Sequence, residues 1–174
     1  MVISKGVAIE ATAILARDFG HTLPFKITKE EIESLLKQLS VVPEGLIAAE
    51  YGVTAMHDIT EGGLLGAVRE ICQASEVGAE IWEEQVPVAP LTQKIAEHLK
   101  LDPLALLSSG SMLMVTPHGE GLVARLAQDN IPAYIVGKIT EGKMPVLVRK
   151  TGEQEHLSTH VEDELWKFWA RENK

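Results

Sequence analysis

The alternation of short apolar runs with longer amphipathic segments from residue 53 onward is the feature that most limits the fold. Residues 53–56 are predicted to form a strand that ends at His57-Asp58, and the apolar positions after Gly63 recur at helical spacing. Further strands are predicted over residues 79–82, 112–115, 134–139 and 145–149, and further helices over residues 91–99 and 119–128. The pattern favours a mixed α/β (α+β) fold in which helices are layered on a sheet, with a ferredoxin-like element in the second half.

The chain before residue 53 carries mainly helix signals. A short strand over residues 1–4 is followed by a predicted helix over residues 9–19, which Gly20 is expected to end in a left-handed conformation. Thr28 opens a capping-box pattern at the start of the next helix, and Pro43 suits the first turn of a helix that continues to residue 51.

The C-terminal part combines turn signals with one aromatic helix. Glu141-Gly142-Lys143, between two predicted strands, is typical of a hairpin connection. Residues 151–159 are polar and are expected to be mobile. The last predicted helix has an apolar face made of Val161, Leu165, Phe168 and Trp169.

Chain length and composition fit one domain. The 174 residues, of which 45% are apolar, suffice for a single core. We expect a helical N-terminal part over residues 1–52, a sheet core over residues 53–150, and a polar linker with the C-terminal helix over residues 151–174.

Charge and hydropathy exclude several classes of partner. The formal net charge of −9 and the sequence pI of about 5.1 disfavour DNA and RNA, because binding to them depends mainly on basic residues that neutralise phosphates. No run approaches the roughly 20 apolar residues of a membrane span, and the first residues do not resemble a signal peptide, so a cytoplasmic protein is expected. Cys72, the only cysteine, lies among apolar helix positions, which predicts a buried thiol and excludes an intrachain disulfide.

The first candidate site is the junction over residues 57–64, here called the first loop, where a strand passes into a helix. Free backbone N–H groups and the helix dipole favour an anion at such a position. Gly62 and Gly63 would let the backbone approach a phosphate, and His57 or Asp58 could transfer a proton or hold a polar substrate.

A structural role is the alternative for the same loop. Asp58 or Thr60 would then cap the helix, with Glu61 closing a capping box. The pattern alone favours this role somewhat, because caps are far commoner than active sites.

The second candidate site is Leu107-Ser108-Ser109-Gly110-Ser111, here called the second loop, which directly precedes a buried strand. Its hydroxyl groups and its glycine could bind a phosphate or a substrate amide. A plain polar turn is the alternative.

Two further motifs are weaker. Gly119-Glu120-Gly121 opens a G-x-G-x-x-A dinucleotide fingerprint, but Glu120 would place a carboxylate against the pyrophosphate, and the next strand is expected to turn back. His156 and His160 lie four residues apart with no third ligand near them in sequence, so no metal site is predicted.

Both candidate loops, taken with the segments around them, resemble a known family. Residues 53–64 resemble the loop that opens the C-terminal domain's site in the superfamily of aminoimidazole ribonucleotide (AIR) synthetase, selenophosphate synthetase and the hydrogenase maturation factor that dehydrates a carbamoyl group. The resemblance continues, in the family's order, in Lys5-Gly6 with residues 9–16, in residues 107–113 and in residues 135–139. Within this superfamily the sequence looks most like the hydrogenase maturation factor and its uncharacterised relatives.

This resemblance implies a three-layer α/β/α C-terminal domain with partly ferredoxin-like topology. It also implies an enzyme that uses ATP to phosphorylate an amide or related oxygen and then closes a ring or removes water, acting on a small-molecule or carbamoyl-type substrate. The implied catalytic residues are His57 and Asp58. The implied substrate- or phosphate-binding residues are Thr60, Glu61, Gly62, Gly63, Ser108, Ser109 and Gly110.

Family enzymes carry a preceding domain that supplies most of the ATP and Mg²⁺ ligands and the dimer interface. This chain begins at the C-terminal domain's first strand, so ATP and Mg²⁺ are expected only with a separate ATP-binding partner, and a homodimer is expected. The reactive cysteine at the end of the maturation factor has no counterpart here. A non-catalytic binding module that keeps the fold is the alternative function, and a dinucleotide-binding domain is the third.

Overall fold

The computed structural model describes residues 1–157 and 160–172, which contain seven α-helices and eight strands in two four-stranded sheets. The strands are β1 (Val2–Ser4), β2 (Ala55–Ile59), β3 (Gly78–Trp82), β4 (Ser111–Val115), β5 (Ala133–Ile135), β6 (Gly137–Thr140), β7 (Val146–Val148) and β8 (Gln154–His156). The helices are α1 (Ile9–Phe19), α2 (Lys29–Leu36), α3 (Val42–Tyr51), α4 (Gly63–Ser75), α5 (Pro90–Leu99), α6 (Gly119–Gln128) and α7 (Glu164–Glu172). No helix in the described ranges combines the length and the apolar character that a membrane crossing needs.

The first sheet has the strand order β2-β4-β1-β5, and every neighbouring pair is antiparallel. β1 therefore lies inside the sheet, although it comes from the part expected to be mainly helical. Since β4 and β5 both run antiparallel to β1, they are parallel to each other, and α6 connects them across β1. This split β-α-β unit confirms the ferredoxin-like element predicted from the sequence.

The second sheet has the strand order β6-β3-β7-β8, with β3 antiparallel to β6 and parallel to β7. The hairpin predicted around Glu141-Gly142-Lys143 is wrong, because β6 and β7 pair with opposite sides of β3 instead of with each other. β3 is buried through Ala79 and Ile81. A direct hairpin would leave one edge of this buried strand without hydrogen-bond partners.

One extended segment passes from the first sheet into the second. The prediction of a single strand over residues 134–139 is wrong, since β5 ends at Ile135, β6 begins at Gly137, and Val136 lies fully buried between them. Periodicity cannot reveal this division because both halves are extended.

Backbone hydrogen bonds hold Val136, the residue between β5 and β6, on both sides. The Val136 N–H donates to the Met1 carbonyl (3.1 Å), and the Trp82 N–H donates to the Val136 carbonyl (2.9 Å). A Cβ atom at Gly137 would overlap the Glu80 carbonyl oxygen, so the close approach of the two strands requires glycine there.

Helices cover both faces of the first sheet, which gives the three-layer α/β/α arrangement. α4 packs against one face, in a core that includes Ile3 and Leu113, and α3 and α6 pack against the other face, beside Val2 and Met114. The second sheet joins the α4 side of this core through Ile81. α1, α5 and α7 form a separate apolar cluster.

Most element bounds agree with the sequence pattern, and two local differences stand out. The predicted bounds of α1 and α6 are confirmed, and Thr28 and Glu31 form the predicted capping box of α2. Gly20 has a right-handed φ of −55° and opens a short 3-10 turn instead of a left-handed cap. The polar stretch over residues 151–159 contains β8, and residues 158 and 159 lie outside the described residues.

The Cys72 thiol is expected to resist alkylation in the folded protein. Cys72 is buried on α4, and burial raises the pKa of its thiol to about 11. At pH 8 only about one folded molecule in a thousand then carries the reactive thiolate. Iodoacetamide labelling, followed by mass spectrometry, should be far slower in native protein than in protein unfolded by urea.

The raised pKa of the Cys72 thiol also determines how this group contributes to stability as the pH changes. The thiol pKa is higher in the folded chain than in the unfolded chain, so its contribution to stability is present below about pH 9 and is lost as the pH rises through the folded value. Equal labelling rates in native and unfolded protein would show that the thiol is accessible.

Candidate functional site

Both predicted loops meet at one end of the first sheet. Because β4 runs antiparallel to β1 and β2, the residues that follow β1 and β2 lie beside those that precede β4. The Ser108 N–H donates to the Thr60 carbonyl (3.3 Å), and the Ser111 hydroxyl donates to the Gly6 carbonyl. The structure thus brings together the first loop, the second loop and the Lys5-Gly6 segment.

His57 and Asp58 lie inside β2, because this strand starts and ends later than predicted and continues to Ile59. Successive side chains of a strand point to opposite faces, so His57 is half-buried and Asp58 is exposed. His57 Nε2 lies 2.8 Å from a carboxylate oxygen of Glu70 on α4, and its Nδ1 faces the Asp58 carbonyl. Both ring nitrogens are therefore engaged by oxygen atoms of the chain.

The two glycines of the first loop have left-handed backbones, with φ of +75° at Gly62 and +59° at Gly63. The Gly62 N–H donates to the Asp163 carboxylate (2.7 Å), and the Gly63 N–H donates to the Thr60 carbonyl (3.1 Å). The amides predicted to hold a phosphate thus already have acceptors inside the chain. α4 begins at Gly63, and its N-cap residue is Gly62, which has no side chain to cap the helix, so the capping role considered for Asp58 or Thr60 is wrong.

Asp163 is a residue of this region that no sequence motif reveals. The residue is only 3% exposed, and its carboxylate accepts hydrogen bonds from the Gly62 N–H (2.7 Å) and the Leu165 N–H (2.8 Å). Burial raises the pKa of the Asp163 carboxyl above its usual range, although the hydrogen bonds from the backbone act to lower it. The sequence pattern can identify an aspartate at the start of a helix as an N-cap. It cannot reveal that Asp163 contacts the first loop.

The three predicted residues of the second loop differ in what they can reach. Ser108 is fully buried, and its hydroxyl accepts from the Ala8 N–H (2.7 Å) and donates to the Leu106 carbonyl (2.7 Å). Gly110 has φ of +108°, and a Cβ atom there would lie 2.9 Å from a carbonyl oxygen in the segment between α2 and α3. Ser109 is partly exposed. Ser108 and Gly110 therefore position the loop, whereas Ser109 lies at the surface.

The groups that a ligand can reach at this end of the sheet are mainly oxygen atoms. Asp58 and Glu61 are exposed, and Thr60 and Ser109 are partly exposed. A cavity of about 240 Å³ lies beside Gly62, between α4 and the segment before α7. Since carboxylates repel phosphate, the surface around Asp58 and Glu61 suits hydroxyl, amide or cationic groups, whereas Arg69 and His160 line the cavity beside Gly62. The described ranges contain no group of three metal-ligating side chains.

The weaker motifs have structural explanations. A Cβ atom at Gly121 would overlap the hydroxyl of Tyr51, which donates to the His118 carbonyl (3.1 Å), so this glycine lets α3 approach α6. The strands on either side of α6 are separated by the antiparallel β1, unlike neighbours in a doubly wound nucleotide-binding sheet. His156 is exposed on β8.

Comparison with known proteins gives a consistent result. Residues 2–150 match the family described as AIR synthase related protein, C-terminal domain. Carbamoyl dehydratase HypE of Rhodobacter capsulatus is 35% identical over 112 residues, which cover 62% of this chain and 33% of that protein.

Two solved structures share the fold. The crystal structure of Escherichia coli HypE superposes with a TM-score of 0.76 at 22% identity and covers 97% of this chain and 52% of that one. A structure of hydrogenase maturation protein HypE in complex with ATP superposes with a TM-score of 0.66 at 20% identity, covering 94% of this chain and 51% of that one.

The matched region is a fraction of each relative: a third of the R. capsulatus protein and about half of each solved chain. Within this chain the family match covers most of the residues, including both loops and the whole first sheet. The chain therefore belongs to the AIR synthase related family, in which it corresponds to the C-terminal domain.

Proposed function

We propose that this chain provides the substrate-side surface of an ATP-dependent synthetase or dehydratase and works with a separate ATP-binding domain or chain. The observation that carries the proposal is the convergence of both loops at one end of the first sheet, where Asp58, Thr60, Glu61 and Ser109 reach the surface. These groups can hydrogen-bond to a small polar substrate such as a carbamoyl or amide compound.

The residues present favour a shared site over a self-contained one. Asp58 and Glu61 offer carboxylate oxygens, which are the ligands that Mg²⁺ prefers and which could face a metal-nucleotide held by another domain. The Gly62 amide is engaged by Asp163, so phosphate charge has to be neutralised mainly by groups outside this chain. ATP, when bound, would supply the phosphoryl group that turns a substrate oxygen into a leaving group. The solved HypE complex with ATP supports a nucleotide in this family.

His57 is the proposed proton-transfer residue, and the structure limits how it could act. Glu70 orients the imidazole through Nε2, and the Asp58 carbonyl occupies Nδ1. One of these two contacts has to open before the ring can exchange a proton with a substrate.

Mixing this chain with a matching ATP-binding domain is expected to raise ATP turnover by about tenfold or more over that domain alone. The N-terminal part of R. capsulatus HypE is a suitable domain, with carbamoyl compounds as candidate substrates. Asp58→Asn and Glu61→Gln should remove most of the gain, because they remove charges that face the shared site. Glu120→Gln, an exposed change on α6, is the matched control.

Turnover that stays at the level of the ATP-binding domain alone would contradict the proposal. A non-catalytic binding module is the second candidate, because the Gly62 amide and the His57 ring are both engaged inside the chain. It would be favoured if calorimetry with nucleotides and carbamoyl phosphate is silent while the chain binds a protein partner.

A further inference from the structure

One buried side chain holds the first loop of the candidate site, and the first loop is bonded to the second. The Asp163 carboxylate accepts from the Gly62 N–H of the first loop at 2.7 Å, and the Thr60 carbonyl of the same loop accepts from the Ser108 N–H of the second loop at 3.3 Å. The other oxygen of Asp163 accepts from the Leu165 N–H at 2.8 Å, in the first turn of α7. A side chain of the C-terminal segment thus joins the start of α7 to the first loop and, through the first loop, supports the second.

Helix ends and backbone amides lie beside this carboxylate. α4 and α7 both begin beside Asp163, so the positive ends of two helix dipoles face the same group. No lysine or arginine within residues 1–157 and 160–172 forms an ion pair with it. The Asp163 side chain is 3% exposed, so an unsatisfied charge there would be costly. Hydrogen bonds from the backbone amides offset the cost of burying this charge.

We propose that Asp163 is an internal anion that positions both loops of the site. Its carboxylate occupies the place at the start of α4 where an anionic ligand would otherwise bind, and it holds the loop backbones so that Thr60, Glu61 and Ser109 face outward. Where this bears on ligands it rests on the proposed function: a phosphate cannot use the Gly62 amide while Asp163 is in place.

Chemical rescue tests this assignment without any assay of activity. Asp163→Ala leaves two amide groups, those of Gly62 and Leu165, without their acceptor and should lower the melting temperature by about 10 °C. Formate is a free carboxylate small enough for the vacated space. Adding it should recover a large part of the lost melting temperature, and the effect should saturate as the formate concentration rises. Sodium chloride at equal ionic strength should not restore it.

Two variants make the rescue specific. Leu165→Ala removes a fully buried apolar side chain of α7 and should destabilise the protein without any response to formate beyond that of chloride. Asp163→Asn keeps one acceptor oxygen but turns an amide NH₂ toward a second N–H donor, so it should be less stable than the wild type. If Asp163→Ala does not fold in buffer, circular dichroism during a formate titration reports the same equilibrium.

The proposal is overturned if formate does no more than chloride for Asp163→Ala, or if Asp163→Asn matches the wild type in stability. Hydrogen exchange at the Gly62 and Leu165 amides should be fast in Asp163→Ala and slow again with formate. Since these measurements involve neither ATP nor a second domain, their outcome is separate from the outcome of the turnover experiment.

Discussion

Replacing Gly63 with alanine is expected to lower the free energy of unfolding by about 4 kcal/mol. The backbone at Gly63 has φ of +59°, which costs an L-residue roughly 1–2 kcal/mol. A Cβ atom there would also lie 2.5 Å from the Leu104 carbonyl oxygen and 2.6 Å from that of Leu106. Both atoms belong to the main chain, so they cannot move aside as a flexible side chain would.

Gly52→Ala is the matched control for this change. Gly52 has a similarly left-handed φ of +82°, but no atom lies within 4 Å of the position its Cβ would occupy. It should therefore show the backbone cost alone, about 1 kcal/mol. Urea unfolding followed by tryptophan fluorescence measures both variants. Equal losses of unfolding free energy in the two variants would mean that residues 104–106 move to make room for the new Cβ atom. The tight packing of α4 against this segment would then contribute little to stability.

Replacing Lys5 with methionine is expected to cost about 3–4 kcal/mol. The Lys5 ammonium lies 2.8 Å from a carboxylate oxygen of Glu44 and donates to the carbonyls of Gln38 (2.7 Å) and Ser40 (2.8 Å). The Glu44 side chain is 1% exposed, so the substitution leaves a charge buried without its partner. Methionine retains much of the aliphatic stem, which isolates the loss of the ammonium.

Two further variants separate the charge effect from a packing effect. Glu44→Gln added to Lys5→Met removes the unpaired charge and should recover part of the lost stability. Lys29→Met removes an ion pair to Glu33 at 3.5 Å whose side chains are 84% and 50% exposed, and it should change stability by less than about 0.5 kcal/mol. A double variant less stable than Lys5→Met alone would show that the buried carboxylate is not the cause.

The sequence predicts most elements of the fold because their signals are local. The apolar repeat and the capping box locate α2, and the buried run before Thr116 locates β4, without any knowledge of their neighbours. The order of strands is different, because β3 acquires partners on both sides from segments far along the chain. This is why the predicted hairpin fails although both of its strands exist.

The sequence predicts that the two candidate loops lie together, but it does not predict the contacts inside them. Both loops lie at strand ends, and antiparallel pairing brings such ends together. The pattern of residues cannot show that Asp163, 101 residues after Gly62, accepts the amide that a phosphate was predicted to use. Nor can it show that Ser108 faces inward while its neighbour Ser109 faces outward.

The passage of one extended segment through Val136 limits how this molecule can move. The strands on either side of Val136, β5 and β6, are hydrogen-bonded into different sheets. Sliding one sheet against the other would therefore break backbone hydrogen bonds in both sheets. Slow local opening of the structure is therefore expected mainly in the loops and the outer helices, while the two sheets unfold together. Any conformational change of this chain is therefore expected in those peripheral parts.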